Sequence, residues 1–424
     1  DLVSFYIAFA IASLSAWGLV IHDGTPGARR AGVIYVGLAV LAEICLLMAF
    51  VLLAAATPGN SLAIRDAMAL LPTSPWREAT LALLLLGFGL KVGLVPLHVW
   101  LPLAYAAAPI PAAAVISGAV SKAGVIGLLR FLPLDAALPD WGAVLATLGL
   151  VSVFYGVAVG ITQANPKTVL AYSSISQMGF IATVLGMALA AGNRGATMAV
   201  AFYAAHHVLA KGALFLAVGV AAATGARRLW PVLLPAAVVA LGFGGLPFTG
   251  GGLAKLAVKP PLGDGVVGLL ATLAGAGSTL LMLHFLDRLR SSATLQPEAG
   301  APPGLAWPWL AMAFAAVAVP WTLFFPAGIG TLADALAPSA LWSALWPVLL
   351  GGALAIGLHR FGHHLPRVPE GDIVALGAPL ARAGVALGAM LERTEVVLRQ
   401  WPVAGLSLLA LAALLGAAIL GQAG

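Results

Sequence analysis

Charge is what this chain has least of. Acidic and basic residues make up 8% of its 424 residues and hydrophobic residues 61%, with a mean hydropathy of +1.03. Soluble domains are roughly a quarter charged, so a water-soluble fold is excluded and an integral membrane protein is required. Cysteine is as scarce: Cys45, the single one, lies inside an apolar run. One thiol supplies no four-cysteine iron–sulfur site, no C-x-x-C-H haem attachment and no internal disulfide. No redox centre, cofactor or metal site is therefore expected. The chain also has no P-loop, and no G-x-G-x-x-G between a strand and a helix, which argues against nucleotide-driven pumping by this chain alone. The net charge of +6 raises the question of nucleic acid, but the arginines sit in short stretches between apolar runs. They are read as topology signals, and no nucleic-acid partner is expected.

Apolar runs of about 20 residues recur, each long enough to cross ~30 Å of hydrocarbon as a helix. About twelve crossings are expected, near residues 2–22, 31–57, 80–100, 112–133, 142–162, 169–191, 197–222, 231–250, 266–286, 306–326, 341–358 and 402–421. The fold class is all-α and polytopic. So little chain remains between the spans that no soluble domain of ordinary size fits, and any driving reaction must belong to partners. The chain passes from Asp1 straight into "LVSFYIAFAIASLSAWGLV", without the basic start and cleavage site of a signal peptide. With loops assigned alternately, one side holds Arg29, Arg30, Lys167, Arg227, Arg228, Arg288, Arg290, Arg360, Arg367, Arg382, Arg393 and Arg399. The other holds Arg65, Arg77, Arg194 and Lys259. The richer side is expected to be cytoplasmic, in a bacterial inner membrane.

Two spans are interrupted. In "LLLLGFGLKVGLVPLHVWLP" (83–102) Pro96 removes a backbone donor between glycines, and "LGFGGLPFTGGGLAKLAVK" (241–259) has Pro247 in a glycine cluster. Both begin "LGFG" and both carry a lysine near the break, Lys91 and Lys255. Paired interrupted helices in two halves of a chain point to a transport site between repeats. Between the last two spans, the stretch 371–400 spaces Ile373, Leu376, Leu380, Leu387, Leu391 and Leu398 at roughly helical intervals among charged residues. It reads as an amphipathic helix on the membrane surface or against neighbouring subunits, or as an ordinary linker helix.

Of six lysines, Lys91, Lys122, Lys211 and Lys255 fall in or at the edge of spans, whereas most arginines do not. An ammonium at mid-membrane costs about 2.5–3.5 kcal/mol on insertion scales, so such residues are functional candidates by default. Buried lysine can give up its proton where guanidinium effectively cannot. Glu43 adds a carboxylate to the second span, and "AAHHVLAKGALFL" adds His206, His207 and Lys211. His207 and Lys211, four apart, share a helix face on which a proton can pass directly or through water. Each candidate has a plainer alternative. Lys122 fits a structural partner for a carboxylate, Lys255 a side chain snorkelling to headgroups, His206 and His98 packing residues, and Glu43 a carboxylate satisfied by a neighbouring helix.

The stretches "LKVGLVPLHVWLPLAYAAAPIPAAAVISGAVSKAGVIGLLRF", "KTVLAYSSISQMGF", "HHVLAKGALFLAVG" and "GLPFTGGGLAK" closely resemble the antiporter-like proton-translocating subunits of complex I. They also resemble the relatives of those subunits in hydrogenases, cation/proton antiporters and inorganic-carbon uptake systems. The resemblance covers about residues 1–290. It implies two inverted five-helix repeats with broken helices, taken here as 1–135 (incomplete at its N-terminus) and 136–290, and a C-terminal extension, 291–424, with a lateral-type helix. It implies too that Lys91 and Lys255 are the broken-helix lysines, Lys122 the relay lysine and His207 the central histidine. This sequence departs from the pattern at three places: Ala10 where a glutamate is usual, Leu103 where "WLPDA" is usual, and Tyr203 where a histidine often lies. Lys91 has thus lost its usual partner, and Glu43 is the expected substitute.

The expected function is a proton-translocating membrane subunit of a complex I-like, redox-driven assembly, with driving subunits on the cytoplasmic side. Two alternatives stand beside it: a subunit of a cation/proton antiporter or proton-coupled inorganic-carbon uptake complex, and a non-conducting structural subunit, to which Ala10 lends weight.

Overall fold

Inside hydrocarbon, every backbone polar group must be paired within the chain and charge must be kept off the lipid. The computed structural model describes residues 1–362, 365–376 and 378–422, and its regular elements are helices. They are α1 (Leu2–Val20), α2 (Pro26–Ala56), α3 (Ile64–Leu70), α4 (Arg77–Val92), α5 (Trp100–Ala107), α6 (Ile110–Phe131), α7 (Pro139–Gly160), α8 (Pro166–Ala191), α9 (Ala196–Ala222), α10 (Trp230–Gly242), α11 (Gly250–Leu262), α12 (Val266–Ser291), α13 (Pro303–Phe324), α14 (Leu332–Leu336), α15 (Pro338–Phe361), α16 (Asp372–Leu376), α17 (Ala378–Leu398) and α18 (Trp401–Gln422). Proline opens α2, α7, α8, α13 and α15, where its missing N–H would be unpaired anyway. Thr25 and Asn165 cap α2 and α8 by accepting from Ala28 N (3.1 Å) and Lys167 N (3.0 Å).

Among the described residues nine helices are long and apolar enough to cross a membrane, or ten if Ala386–Val397 and Trp401–Leu415, bent by 91°, form one span. Twelve spans are expected from the sequence. Two of the missing ones, 80–100 and 231–250, are the interrupted spans, whose helices α4, α10 and α11 have 16, 13 and 13 residues. The third, 402–421, is α18.

The chain divides into two units, Asp1–Gly371 and Asp372–Gly424. In the second, α16 and α17 occupy the stretch expected as an amphipathic helix. Gly377 between them lies outside the described residues.

Within the first unit helices approach closely through glycine. Gly142, Gly149 and Gly156 lie seven apart on α7, facing Gly179 and Gly186 on α8. A Cβ at Gly149 would stand 2.6 Å from Gly179 O, and one at Gly156 2.6 Å from Tyr172 O. In lipid, such close backbone packing replaces the hydrophobic effect as the force between helices.

The buried apolar side chains form two clusters, and the break between them runs across one helix after another. Helix α6 gives Ala113, Ile116 and Val120 to one and Val125, Leu128 and Phe131 to the other. Helix α8 breaks between Ile175 and Met178, and α9 between Ala204 and Ala210. The residues at these breaks are Lys122, Gln177, His206 and His207. By the same division Ser13 on α1, Glu43 on α2 and Ser278 on α12 also fall between the clusters. A polar seam thus crosses the bundle between two apolar cores.

Candidate functional site

Helix α4 ends because Gly93 takes a left-handed backbone (φ 81°). The chain then runs irregularly through Pro96, whose peptide bond with Val95 is cis, to α5. Trp100 Nε1 donates to Leu90 O at 2.7 Å, pairing a carbonyl that the break releases. Lys91, in the last turn, has its ammonium 3.1 Å from Glu43 Oε1 and donates to Ser13 Oγ on α1. Lys91 and Glu43 are 3% and 5% exposed, so this is a buried ion pair. Gly87 permits it: one turn before Lys91, a Cβ there would stand 2.6 Å from Leu46 Cγ and 3.2 Å from Ala42 O. Ala10 supplies no oxygen, but Ser13 follows three residues later on the same helix face. Tyr35 OH donates to Ser13 O at 2.6 Å and packs edge-on to Trp100. A cavity of about 10 Å³, on the scale of one water, is lined by Tyr35, Lys91, Trp100 and Val120.

Lys122 on α6 donates to Ser117 O (2.8 Å) and Ser121 Oγ (3.1 Å) and is ion-paired to no carboxylate among the described residues. Two glycines set its place. A Cβ at Gly124 would meet Lys91 Cβ at 3.0 Å, and one at Gly118 would meet Val208 Cγ1 at 3.4 Å. Helix α6 therefore carries Lys122 between a contact with Lys91 and a contact beside His207.

On α9, Lys211 donates to Leu170 O at 2.8 Å and lies over the ring of Phe243, 5.0 Å from its centroid. The rings of His207 and His206 are 5.3 and 5.9 Å from the same centroid. His207 and Lys211 are fully buried, and His207 is within electrostatic reach of Lys122, Lys211 and His206. Neither ring nitrogen of His207 has a hydrogen-bond partner among the described residues.

The second break follows α10, with Gly245 at φ 103° and Phe248 at φ 64°. Thr249 restarts the helix by accepting from Gly252 N at 3.2 Å. Lys255 on α11 reaches back to Gly244 O at 3.1 Å and lies over the Phe180 ring, 5.6 Å from its centroid. Beside it opens a cavity of about 340 Å³, lined by Lys255, Lys259, Phe248, Trp321 and Trp346 among others. Phe180 also stacks on Tyr203. Tyr203 OH donates to Gln177 Oε1, and Gln177 Nε2 donates to Ser278 Oγ at 2.9 Å.

The structure thus joins Glu43 to Lys91 and gathers His206, His207 and Lys211 around Phe243. Lys122 and Lys255 are held by backbone carbonyls, and His98 packs edge-on to Tyr155. Sequence reasoning did not single out Ser13 and Tyr35, which meet beside Lys91, or Gln177 and Ser278, which pair with each other next to Tyr203. Hydroxyls and amides occur in many apolar helices; position in the seam distinguishes Ser13, Gln177 and Ser278, and the hydrogen bond to Ser13 O distinguishes Tyr35. Among the described residues no group of three or more His, Cys, Asp or Glu is placed to hold a metal ion.

Residues 1–258 match the family described as NADH:quinone oxidoreductase/Mrp antiporter, TM. Hydrogenase-4 component B of Escherichia coli (strain K12) is 32% identical over 230 residues, 51% of this chain and 33% of that protein. NADH-quinone oxidoreductase subunit N of Heliobacterium modesticaldum is 33% identical over 235 residues, 54% of this chain and 48% of that protein. A chain in the structure of the Mrp complex from Dietzia sp. DQ12-45-1b has the same fold, with a TM-score of 0.79 at 24% identity. That match covers 99% of this chain and 50% of the other. The chain spans about half or less of the length of these curated relatives.

Proposed function

This chain belongs to the NADH:quinone oxidoreductase/Mrp antiporter transmembrane family, and on that premise we propose that it carries protons through the polar seam as one membrane subunit of a larger redox-driven assembly. The single observation that carries this reading is the buried Glu43–Lys91 pair at the first break, at the head of a series of basic groups that are ion-paired with no acid among the described residues.

In this reading Glu43 sets the protonation of Lys91 in place of the glutamate missing at Ala10. While the pair is closed, the carboxylate holds a proton on the lysine. A charge shift in a neighbouring subunit that draws Glu43 away removes that hold. The proton passes toward Lys122 on the adjoining face of α6. Lys122, His207 and Lys211 are within electrostatic reach of one another, so like-charge repulsion disfavours loading them together and drives a proton onward. Lys255, at the second break, releases it into the cavity that opens beside Lys259. The two breaks belong, in this reading, to inverted halves over 1–135 and 136–290. The partners are other membrane subunits, with driving subunits on the arginine-rich cytoplasmic side of a bacterial inner membrane.

The test is proton flux in proteoliposomes holding the intact assembly. Flux abolished by Lys91→Ala and by Lys122→Ala, with assembly unchanged, supports the reading; wild-type flux in both variants assigns the chain a structural role.

A further inference from the structure

We propose that the cavity beside Lys255 is a binding site for a single-chain amphipathic anion, a carboxylate of the fatty-acid class. Its volume of about 340 Å³ lies in the ~300–1,000 Å³ range of small-molecule sites. Lys255 and Lys259, four apart on α11, both line it. Lys255 is held by the Gly244 carbonyl and the Phe180 ring, and neither lysine is ion-paired with an acid among the described residues. Among the described residues Asp264 is the one acid in the lining.

Two ammonium groups between walls of low polarity focus a positive potential that repels cations and holds an anion. The walls decide what kind. Leu256, Leu269, Leu341, Trp321 and Trp346 would be left unfilled by a small inorganic anion and are matched by an alkyl chain. Lys255 is four residues farther from the end of α11 than Lys259, about 6 Å along the axis. A single-chain carboxylate reaches that depth with less desolvation than a two-chain phosphodiester headgroup. A second feature points to the same place. Phe248, a non-glycine residue in the left-handed region at φ 64°, is 62% exposed and lines the cavity, its carbonyl fixed by Trp321 Nε1 at 3.1 Å. Such strained backbone persists where surroundings over-determine it and clusters at ligand sites. Occupancy that closes the proton exit is a corollary that rests on the proposed function; binding itself does not.

The experiment titrates the full chain, in nanodiscs of zwitterionic lipid, with 12-bromododecanoate and follows quenching of tryptophan fluorescence. We expect saturable quenching that falls in amplitude in Trp321→Phe/Trp346→Phe and weakens about tenfold in Kd in Lys259→Gln, an exposed position that leaves the fold intact. Ala271→Phe, which fills the cavity, abolishes it. The proposal is overturned if 12-bromododecyltrimethylammonium quenches with the same saturation, if Lys259→Gln and Ala271→Phe bind like the wild type, or if brominated phosphatidylglycerol displaces the carboxylate at equal concentration. Because the readout is binding, it stands or fails separately from proton flux.

Discussion

Replacing Glu43 with glutamine keeps the shape of the side chain and removes its charge. At the 3.1 Å separation of the pair and an effective dielectric of about 20, the attraction withdrawn is on the order of 5 kcal/mol. Removing one member of a buried pair costs about 3–5 kcal/mol, because the remaining charge is left uncompensated. Ser13 Oγ still accepts from Lys91, which puts the expected loss near ~3 kcal/mol, the lower end of that range. The double variant Glu43→Gln/Lys91→Met leaves no unpaired charge and should recover to within ~1 kcal/mol of the wild type. Reversible unfolding in mixed micelles measures this cycle, and the same four proteins are assayed for proton flux in the assembly. Stability should return in the double variant while flux stays lost. A coupling energy below ~0.5 kcal/mol, the level of independent sites, would refute the ion pair. Flux that returns with stability would make the pair structural, and wild-type flux in Glu43→Gln alone would end the proposed input role.

Three further outcomes are expected. Ser13→Ala removes the second oxygen from Lys91 and should cost about 1.5–3 kcal/mol, with flux reduced but not abolished; a variant normal in both would detach Ser13 from the site. Gly149→Val drives a side chain into Gly179 O, 2.6 Å from the position of its Cβ, and should lower stability by about 1–3 kcal/mol or more through overpacking. Gly37, with nothing within 4 Å, is the control that should tolerate alanine, and an unchanged Tm in Gly149→Val would contradict the packing. At α14, the Thr331 amide and hydroxyl donate to Asp334 at 2.8 and 2.6 Å and hold its carboxyl below the usual range. A depressed folded value means that the cap contributes above the unfolded value and is lost as pH falls through the folded one. Amide exchange in α14, corrected for intrinsic rate, should therefore accelerate below about pH 4, a step that Thr331→Val removes.

The expected twelve spans illustrate where composition stops being informative. Hydropathy locates an apolar run but does not say whether it is one helix. At 80–100 the run resolves into α4, a left-handed Gly93 and α5, and at 231–250 into α10, a strained turn and the start of α11. The glycines and prolines of both stretches signalled the interruption, because backbone that leaves the helix must have a residue that tolerates it. Ser13 and Gln177 gave no comparable signal, since a neutral hydroxyl or amide in an apolar helix can be paired by a neighbouring backbone or side-chain group and leaves no charge to be accounted for.

By itself the sequence determined that this protein lives in a membrane, that two of its spans are broken, and which few ionisable residues had to be explained. Burying charge in hydrocarbon is expensive enough to make those residues conspicuous in any order of helices. Which of them meet was decided by the tertiary structure. Glu43 lies 48 positions before Lys91, and nothing in either helix alone brings them together. The absence of a side chain at Gly87 lets α2 and α4 close against each other, with Ala42 O beside the gap. Lys122, Lys211 and Lys255 found carbonyls on α6, α8 and the second break, because an ammonium inside the bundle takes whichever acceptor the packing leaves within reach.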